Sequence, residues 1–292
     1  MKVALYARQI STDLFPFIDQ LLLEMSSRNI GISIYQPFCN QVKAHTESIS
    51  DVEVFSSGSE IRNKMDFLFS IGGDGTILDT LALVQHSGMP VVGINTGRLG
   101  FLSSISREEI AVAIDSLQRG HFSLDKRSLL RLESSYSLFG EVNYALNDLT
   151  IHKKDSSSMI IINTFLNGEY LNSYWADGLI IATPTGSTGY SLSCGGPIIV
   201  PHSDNFVITP IAPHNLNVRP IVVSDKNVIS LEVQGRSQYF LASLDSRSVT
   251  IDSSLQLAVR KEDFTMNLVR IGNDNFLSTL RNKLKWGLDS RN

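Results

Sequence analysis

FLFSIGGDGTILDT, residues 67–80, runs from an apolar segment through three glycines set around one aspartate into helical spacing. A short apolar run closed by glycines reads as a buried strand, and Thr76–Gln85 then reads as a helix. The same alternation continues on both sides. VALYA at 3–7 precedes Thr12–Arg28, which sets Leu14, Phe17, Ile18, Leu21, Leu22 and Met25 on one helical face, and ISIY occupies 32–35. VVGI at 91–94 is followed by a helix whose start carries Ser106 and Glu109 at capping-box spacing. Strands alternating with helices predict an α/β domain over residues 1–122, with a parallel, Rossmann-like sheet covered by helices.

Beyond residue 122 the pattern changes to short β-branched or aromatic runs: LTIH, MIIINTFL, LIIAT, FVIT, VISLEV, YFLASL, SVTI, QLAV and FTMNLV. Turn residues separate them at short intervals, which predicts an all-β domain, sandwich or barrel-like, over 123–270. Residues 271–292 form a third segment, in which Asn275–Trp286 returns to helical spacing with Phe276, Leu280, Leu284 and a basic face. This C-terminal helix is expected to pack back on the first domain. A chain of 292 residues exceeds the roughly 250 that one hydrophobic core usually serves, in keeping with two domains.

Composition excludes several classes. The net charge of −4 is spread without a basic run, so duplex nucleic acid and anionic membrane surfaces are not expected partners. The opening MKVALYARQI turns polar before a signal-peptide core forms, and no apolar run approaches the ~18 residues of a membrane span. Cys39 and Cys194 stand far apart, which suits a reducing compartment and excludes a cysteine zinc site. The cytoplasm is the expected location. The six histidines form no H-x-x-x-H or H-E-x-x-H pair, so no metal ligands are assigned, and His214 reads as structural.

Chemistry concentrates in three glycine clusters. At Gly72-Gly73-Asp74-Gly75-Thr76, missing Cβ atoms let backbone approach an anion, and the helix N-terminus adds favourable potential. Asp74 would repel phosphate unless it accepts a hydroxyl proton or orients a metal ion; its local alternative is a helix N-cap. The second cluster, Gly93 to Leu102, also follows a strand, and Asn95 there serves either a ligand or its own loop. The third comprises Trp175-Ala176-Asp177-Gly178 and the hydroxyl-rich stretch Pro184–Pro197, suited to ribose and phosphate. Asn147, Asp148 and Asp245 add polar groups near strand ends. Neither a Walker A nor a G-x-G-x-x-G motif occurs, so phosphate recognition must follow another design.

Taken in order, these clusters resemble the NAD kinase family. Its Gly-Gly-Asp-Gly-Thr matches 72–76, its Gly-x-Leu-Gly-Phe-Leu 97–102, its Asn-acid pair 147–148, its Asp-Gly…Thr-Pro-Thr-Gly-Ser-Thr block 177–188, and its Pro-His-x-Leu-x-x-Arg-Pro segment 213–220. The resemblance implies phosphoryl transfer from ATP or another donor to the adenosine ribose 2′-hydroxyl of NAD, with NAD in a crevice between two domains and a divalent cation, normally Mg²⁺, on the donor. It implies Asp74 as proton acceptor with Gly73 and Gly75 beside it in the nucleotide loop. Asn147 and Asp148 would contact the adenosine portion, Trp175, Asp177 and Arg247 would serve the dinucleotide site, and Thr188, Gly189, Tyr190, Ser191, Leu192 and Ser193 would wrap the bound NAD. A homodimer or homotetramer is implied as well.

Three positions depart from the family pattern. Asp148 stands where Glu is usual, Gly189 where Ala is frequent, and Asp79 where Arg or Lys is common, which leaves Arg98, Arg127 or Arg247 to meet phosphate. Two other functions remain compatible with the glycine loop: a kinase for a lipid or for fructose 6-phosphate, and a catalytically silent dinucleotide sensor. The polar block after the loop disfavours a lipid acceptor, and a carboxylate beside the anion disfavours a pure binder.

Overall fold

Strand β4 (Phe67–Gly72) and the helix after it are central to an α/β unit made of Met1–Lys126 and Met266–Asn292. The computed structural model describes residues 1–45, 52–97, 100–154, 158–272 and 275–285. Strands β1 (Lys2–Tyr6), β2 (Gly31–Tyr35), β3 (Glu53–Phe55), β4 and β5 (Val91–Asn95) lie in the order β3-β2-β1-β4-β5. All are parallel, with Tyr6 opposite Ser70 and Gly72 opposite Asn95. The short β6 (Ile105–Ser106) pairs with β5. Helices α1 (Phe15–Ser27), α2 (Gln36–Lys43), α3 (Gly58–Ile61), α4 (Asp74–Val84) and α5 (Ile110–Gln118) make the crossovers. The expected apolar face of α1 is buried, from Phe17 to Met25, against Val3, Leu5, Phe69 and Val92 of the strands. The Ser106–Glu109 capping box forms as the spacing predicts and opens a 3-10 turn that runs into α5.

The second unit, Arg127–Thr265, is built from antiparallel sheets. Its strands are β7 (Ser123–Ser134), β8 (Tyr144–Ala145), β9 (Asp148–Lys153), β10 (Ile160–Leu166), β11 (Glu169–Ala176), β12 (Gly178–Ala182), β13 (Asn205–Ile211), β14 (Ile221–Ser224), β15 (Ile229–Gln234), β16 (Tyr239–Leu244), β17 (Arg247–Asp252) and β18 (Gln256–Arg270). One sheet has the order β14-β13-β12-β9-β16-β17, and the other contains β11-β10-β15-β18. Ile162, Leu231 and Val233 from one and Leu149, Phe206 and Phe240 from the other share a core. The loop after β12 holds a 3-10 turn at Gly186–Thr188 and the short helix α6 (Tyr190–Ser193).

Strand β18 has residues in both units, since Ile229 faces Val259 while Leu268 pairs with Val91. QLAV and FTMNLV, read as two strands, are therefore one. The charged residues between them look like a turn but are neutralised in place: Arg260 bonds Glu133 at 2.6 Å, and buried Glu262 faces Arg131 at 3.7 Å. The structural division falls at 126/127 and 265/266, against the sequence expectation of 122/123 and 270/271. Helix α7 (Phe276–Leu284) belongs to the first unit and is capped by Asn275, whose side chain accepts the Ser278 N–H. Trp286, expected in this helix, lies outside the described residues.

Phe69 is fully buried in the strand that carries the glycine loop. Phe69→Ala should destabilise the chain by about 3–5 kcal/mol through lost transfer energy and a residual cavity. Urea unfolding with an unchanged midpoint would contradict the assigned core.

Candidate functional site

Gly72 ends β4 at φ +153°, and a Cβ there would collide with the Thr76 hydroxyl, so only glycine fits. By contrast, Cβ atoms on Gly73 and Gly75 would meet nothing within 4 Å, so open space lies over the loop where α4 begins. Gly73 is the N-cap and Asp74 the first helical residue; Asp74 is not the cap. Its carboxylate is bound by the second glycine cluster instead. Oδ2 accepts the Phe101 N–H at 2.8 Å, while Oδ1 accepts the Leu102 and Ser103 N–H groups at 3.0 and 3.1 Å and the Ser103 hydroxyl at 3.2 Å. A Cβ on Gly100 would strike Asp74 Oδ1, which explains that glycine. Asn95 serves its own loop by accepting the Gly97 N–H at 2.8 Å.

Asp79, the departure on α4, is ion-paired with Arg8 just after β1 and accepts the Tyr6 hydroxyl at 3.2 Å. Arg127 is buried and donates to the Thr185 hydroxyl at 3.2 Å. Arg98 and Leu99 lie outside the described residues.

In the second unit, a turn between β16 and β17 sets Asp245 at φ +51°, a strained value for a non-glycine residue. Its carboxylate accepts the N–H groups of Leu146, Asn147 and Asp148 at 2.9, 2.8 and 3.2 Å, which fixes the Asn-acid pair at the head of β9. The Asn147 carbonyl accepts the Thr183 N–H at 2.9 Å, and Gly186 presses so closely on it that no Cβ fits there. Asp148 is buried with its carboxylate 3.1 Å from the Thr150 hydroxyl. Burial, reinforced by Asp245, pushes the Asp148 carboxyl up to about 7. Burial raises Asp245 too, against its three N–H donors and Arg247.

The loop expected to wrap the dinucleotide divides into anchors and free groups. Ser191 is buried and bonds Thr209 at 2.8 Å, while the Thr188 hydroxyl donates to the Thr185 carbonyl at 3.1 Å. Tyr190 is 44% exposed, Ser193 is exposed and Leu192 half-buried. Asp148 and Asp177 both raise the Tyr190 phenol, after burial and Cys194, so these groups lie within electrostatic reach of one another. A Cβ on Gly189 would sit 3.3 Å from the Gly186 carbonyl, tighter than an ordinary contact, so that backbone would have to give by a few tenths of an ångström to admit it.

Trp175 projects from β11 and is 48% exposed, next to a cavity of about 590 Å³ that Lys153, Met159 and Arg236 also line. Asp177 pairs with Lys153 at 2.6 Å. The Arg247 guanidinium donates to the carbonyls of Val142 and Tyr144 and faces the Phe139 ring. Gly73, Asp74 and Gly75 thus belong to the first unit, and the other expected contacts to the second. Sequence reading missed Ser103, Lys153 and Lys283, whose ammonium is 3.8 Å from Asp74 Oδ2; only membership of a motif's flanks (Ser103, Lys153) or a basic helix face (Lys283) hinted at them.

Two family models match the chain, the ATP-NAD kinase N-terminal domain over residues 31–122 and the ATP-NAD kinase C-terminal domain over 146–271. An NAD kinase of Cytophaga hutchinsonii is 47% identical, and one of Christiangramia forsetii 45%, each alignment covering 100% of both chains. Among solved structures, an NAD kinase from Archaeoglobus fulgidus in complex with ATP aligns at TM-score 0.74 and 26% identity, over 98% of this chain and 99% of that one. Yeast NADH kinase complexed with NADH aligns at 0.87 over 99% and 88%, and at 22% identity that likeness is one of fold.

The raised Asp148 carboxyl has a stability consequence. Below about pH 4 the group is protonated in both folded and unfolded chains; as pH rises toward 7 only the unfolded chain releases its proton, so stability is lost over that interval. Asp148→Asn should therefore be more stable to unfolding than wild type at pH 8, by on the order of 2–4 kcal/mol, with the gap closing toward pH 4. Parallel melting curves across pH 4–8.5 would refute the assignment.

Proposed function

The chain belongs to the NAD kinase family, and we propose from that premise that Asp74 is the general base of its reaction. The reaction is phosphoryl transfer from ATP or another donor to the adenosine ribose 2′-hydroxyl of NAD, giving NADP. The 2′-oxygen bonds the γ-phosphorus as the bond to the β,γ-bridging oxygen breaks, and the hydroxyl proton passes to the base. Oδ2 is the oxygen we assign to that proton, because it accepts one N–H whereas Oδ1 accepts three donors. A loose transition state puts little charge on the attacking oxygen, so an ordinary carboxylate suffices. The open space over Gly73 and Gly75, at the N-terminus of α4, suits donor phosphates facing backbone N–H groups. This juxtaposition of an engaged but incompletely saturated carboxylate with open glycine backbone is the observation that carries the reading.

For NAD we assign Asn147 and Asp148 to the adenosine portion, Asp177 and Trp175 to the rest of the dinucleotide, and Thr188, Gly189, Tyr190, Ser191, Leu192 and Ser193 to the wrapping loop. Ser191 acts there as the anchor and Tyr190 as a contact, in view of their burial and exposure. Arg247 acts through the carbonyls of 142 and 144 as a support of the same region. Mg²⁺ or another divalent cation enters as part of the donor substrate, held by phosphates and water, an arrangement that asks for only one or two protein carboxylates. Among the described residues no three His, Cys, Asp or Glu side chains converge on a metal. We assign the enzyme to the cytoplasm as a homodimer or homotetramer, which light scattering on the purified chain checks. Among the described residues no helix is long and apolar enough to cross a membrane.

Asp74→Asn keeps the side chain's size but removes its proton acceptance. NADP formation, read with an NADP-specific dehydrogenase, should fall ~10²–10⁴-fold in kcat. Calorimetry separates the chemical role from the structural one, since the amide also disturbs the N–H groups of 101–103. NAD affinity close to wild type marks a base, and collapse of affinity along with rate marks a loop support.

A further inference from the structure

The last turn of α7 carries Lys283, whose ammonium lies 3.8 Å from Asp74 Oδ2 and 4.8 Å from the centre of the Phe101 ring. Phe101 is also the residue whose N–H donates to that same oxygen. At the other end of the helix, Phe276 sets its ring 6.0 Å from the ring of Phe101, and Leu280 between them is buried. A lysine in a last helical turn is favourable through the helix dipole anywhere, which explains a basic residue but not its contact with Asp74. The contact falls on the carboxylate oxygen that has a single N–H donor.

We propose that Lys283 is a positioning residue for the phosphoryl transfer, its ammonium keeping Asp74 Oδ2 aimed while the Phe101 ring keeps the ammonium in place. This inference rests on the reading of Asp74 as base. An ammonium 3.8 Å from one carboxylate oxygen attracts it and so limits the directions that oxygen can take. The face of an aromatic ring attracts the ammonium and limits its swing. Among the described residues a second cation beside Phe101, Arg270, is engaged by Asp125 at 3.0 Å and by the Phe101 carbonyl at 3.3 Å. Lys283 therefore joins α7 to the loop that cradles Asp74, and makes the C-terminal helix part of the catalytic apparatus.

Steady-state kinetics with NAD and Mg-ATP on Lys283→Met, Lys283→Arg and Asp74→Asn test this, with thermal melting as the check on folding and Lys283→Gln in reserve if the methionine variant melts early. Lys283→Met should lose on the order of tenfold in kcat through a less fixed base. Its KM for NAD should stay within about threefold, because the lost contact is not made to substrate. Lys283→Arg, which retains the charge, should recover most of the rate. An unchanged kcat in Lys283→Met overturns the proposal, and so does a loss that arginine fails to recover, which marks packing alone. An inactive Asp74→Asn beside a fully active Lys283→Met defeats only this inference, whereas a fully active Asp74→Asn defeats the base and this inference together.

Discussion

Three successive backbone N–H groups, those of Phe101, Leu102 and Ser103, converge on the carboxylate of Asp74, and much of the first unit is arranged to permit it. The acid stands at the first position of α4, so β4 must end in the turn that Gly72 allows. The N–H groups come from the chain after β5, so that strand must run parallel beside β4, and Gly100 must lack a side chain to let the loop close on the oxygen. Three hydrogen bonds to a charged acceptor are each worth about 1.5–3 kcal/mol, enough to define one loop conformation against its alternatives.

The second unit repeats the device at another place. Asp245 takes the N–H groups of Leu146, Asn147 and Asp148, again three in succession, and again the acid holds a segment distant in sequence. The two acids differ in what is left over. Asp245 is half-buried, strained at positive φ and committed to holding the head of β9. Asp74 is partly open and keeps an oxygen with one donor, beside Lys283. The same physical motif thus supports a scaffold in one case and, on the proposed reading, a reactive group in the other.

Local periodicity made much of this legible. The apolar run closed by glycines in 67–76 announced β4 and α4, the 3.6-residue spacing of Phe17 to Met25 announced α1, and Ser106 with Glu109 announced the start of α5. What stayed hidden depended on partners far along the chain. Strand β11, EYLNSYWA, is polar because it pairs on one side only, with β10, so it lacks the apolar run that marks a strand. The charged centre of β18 reads as a turn until Glu133 and Arg131 are placed opposite it. Asp74 stood out in the sequence as a candidate acid, but its donors lie 27 to 29 residues on and Lys283 near the other end of the chain, and no spacing rule connects them.

If the loop takes the donor phosphates as proposed, charge balance explains why an aspartate can remain in it. Three ion pairs accompany this part of the unit: Arg8 with Asp79, Arg270 with Asp125, and Lys283 with Asp74. Each pair keeps the unliganded surface close to neutral, and each holds its side chains in a defined place. A polyphosphate donor carrying its own divalent cation adds less negative charge than the free anion, so the repulsion from Asp74 is reduced before binding begins. The N-terminus of α4 and its open glycines then supply attraction through dipoles that need not reorganise. On the proposed reading, recognition of the donor by the backbone of this turn is compatible with a carboxylate in the same turn, and the ion pair of Asp79 on α4 with Arg8 accounts for the acid that replaces the family's usual cation there.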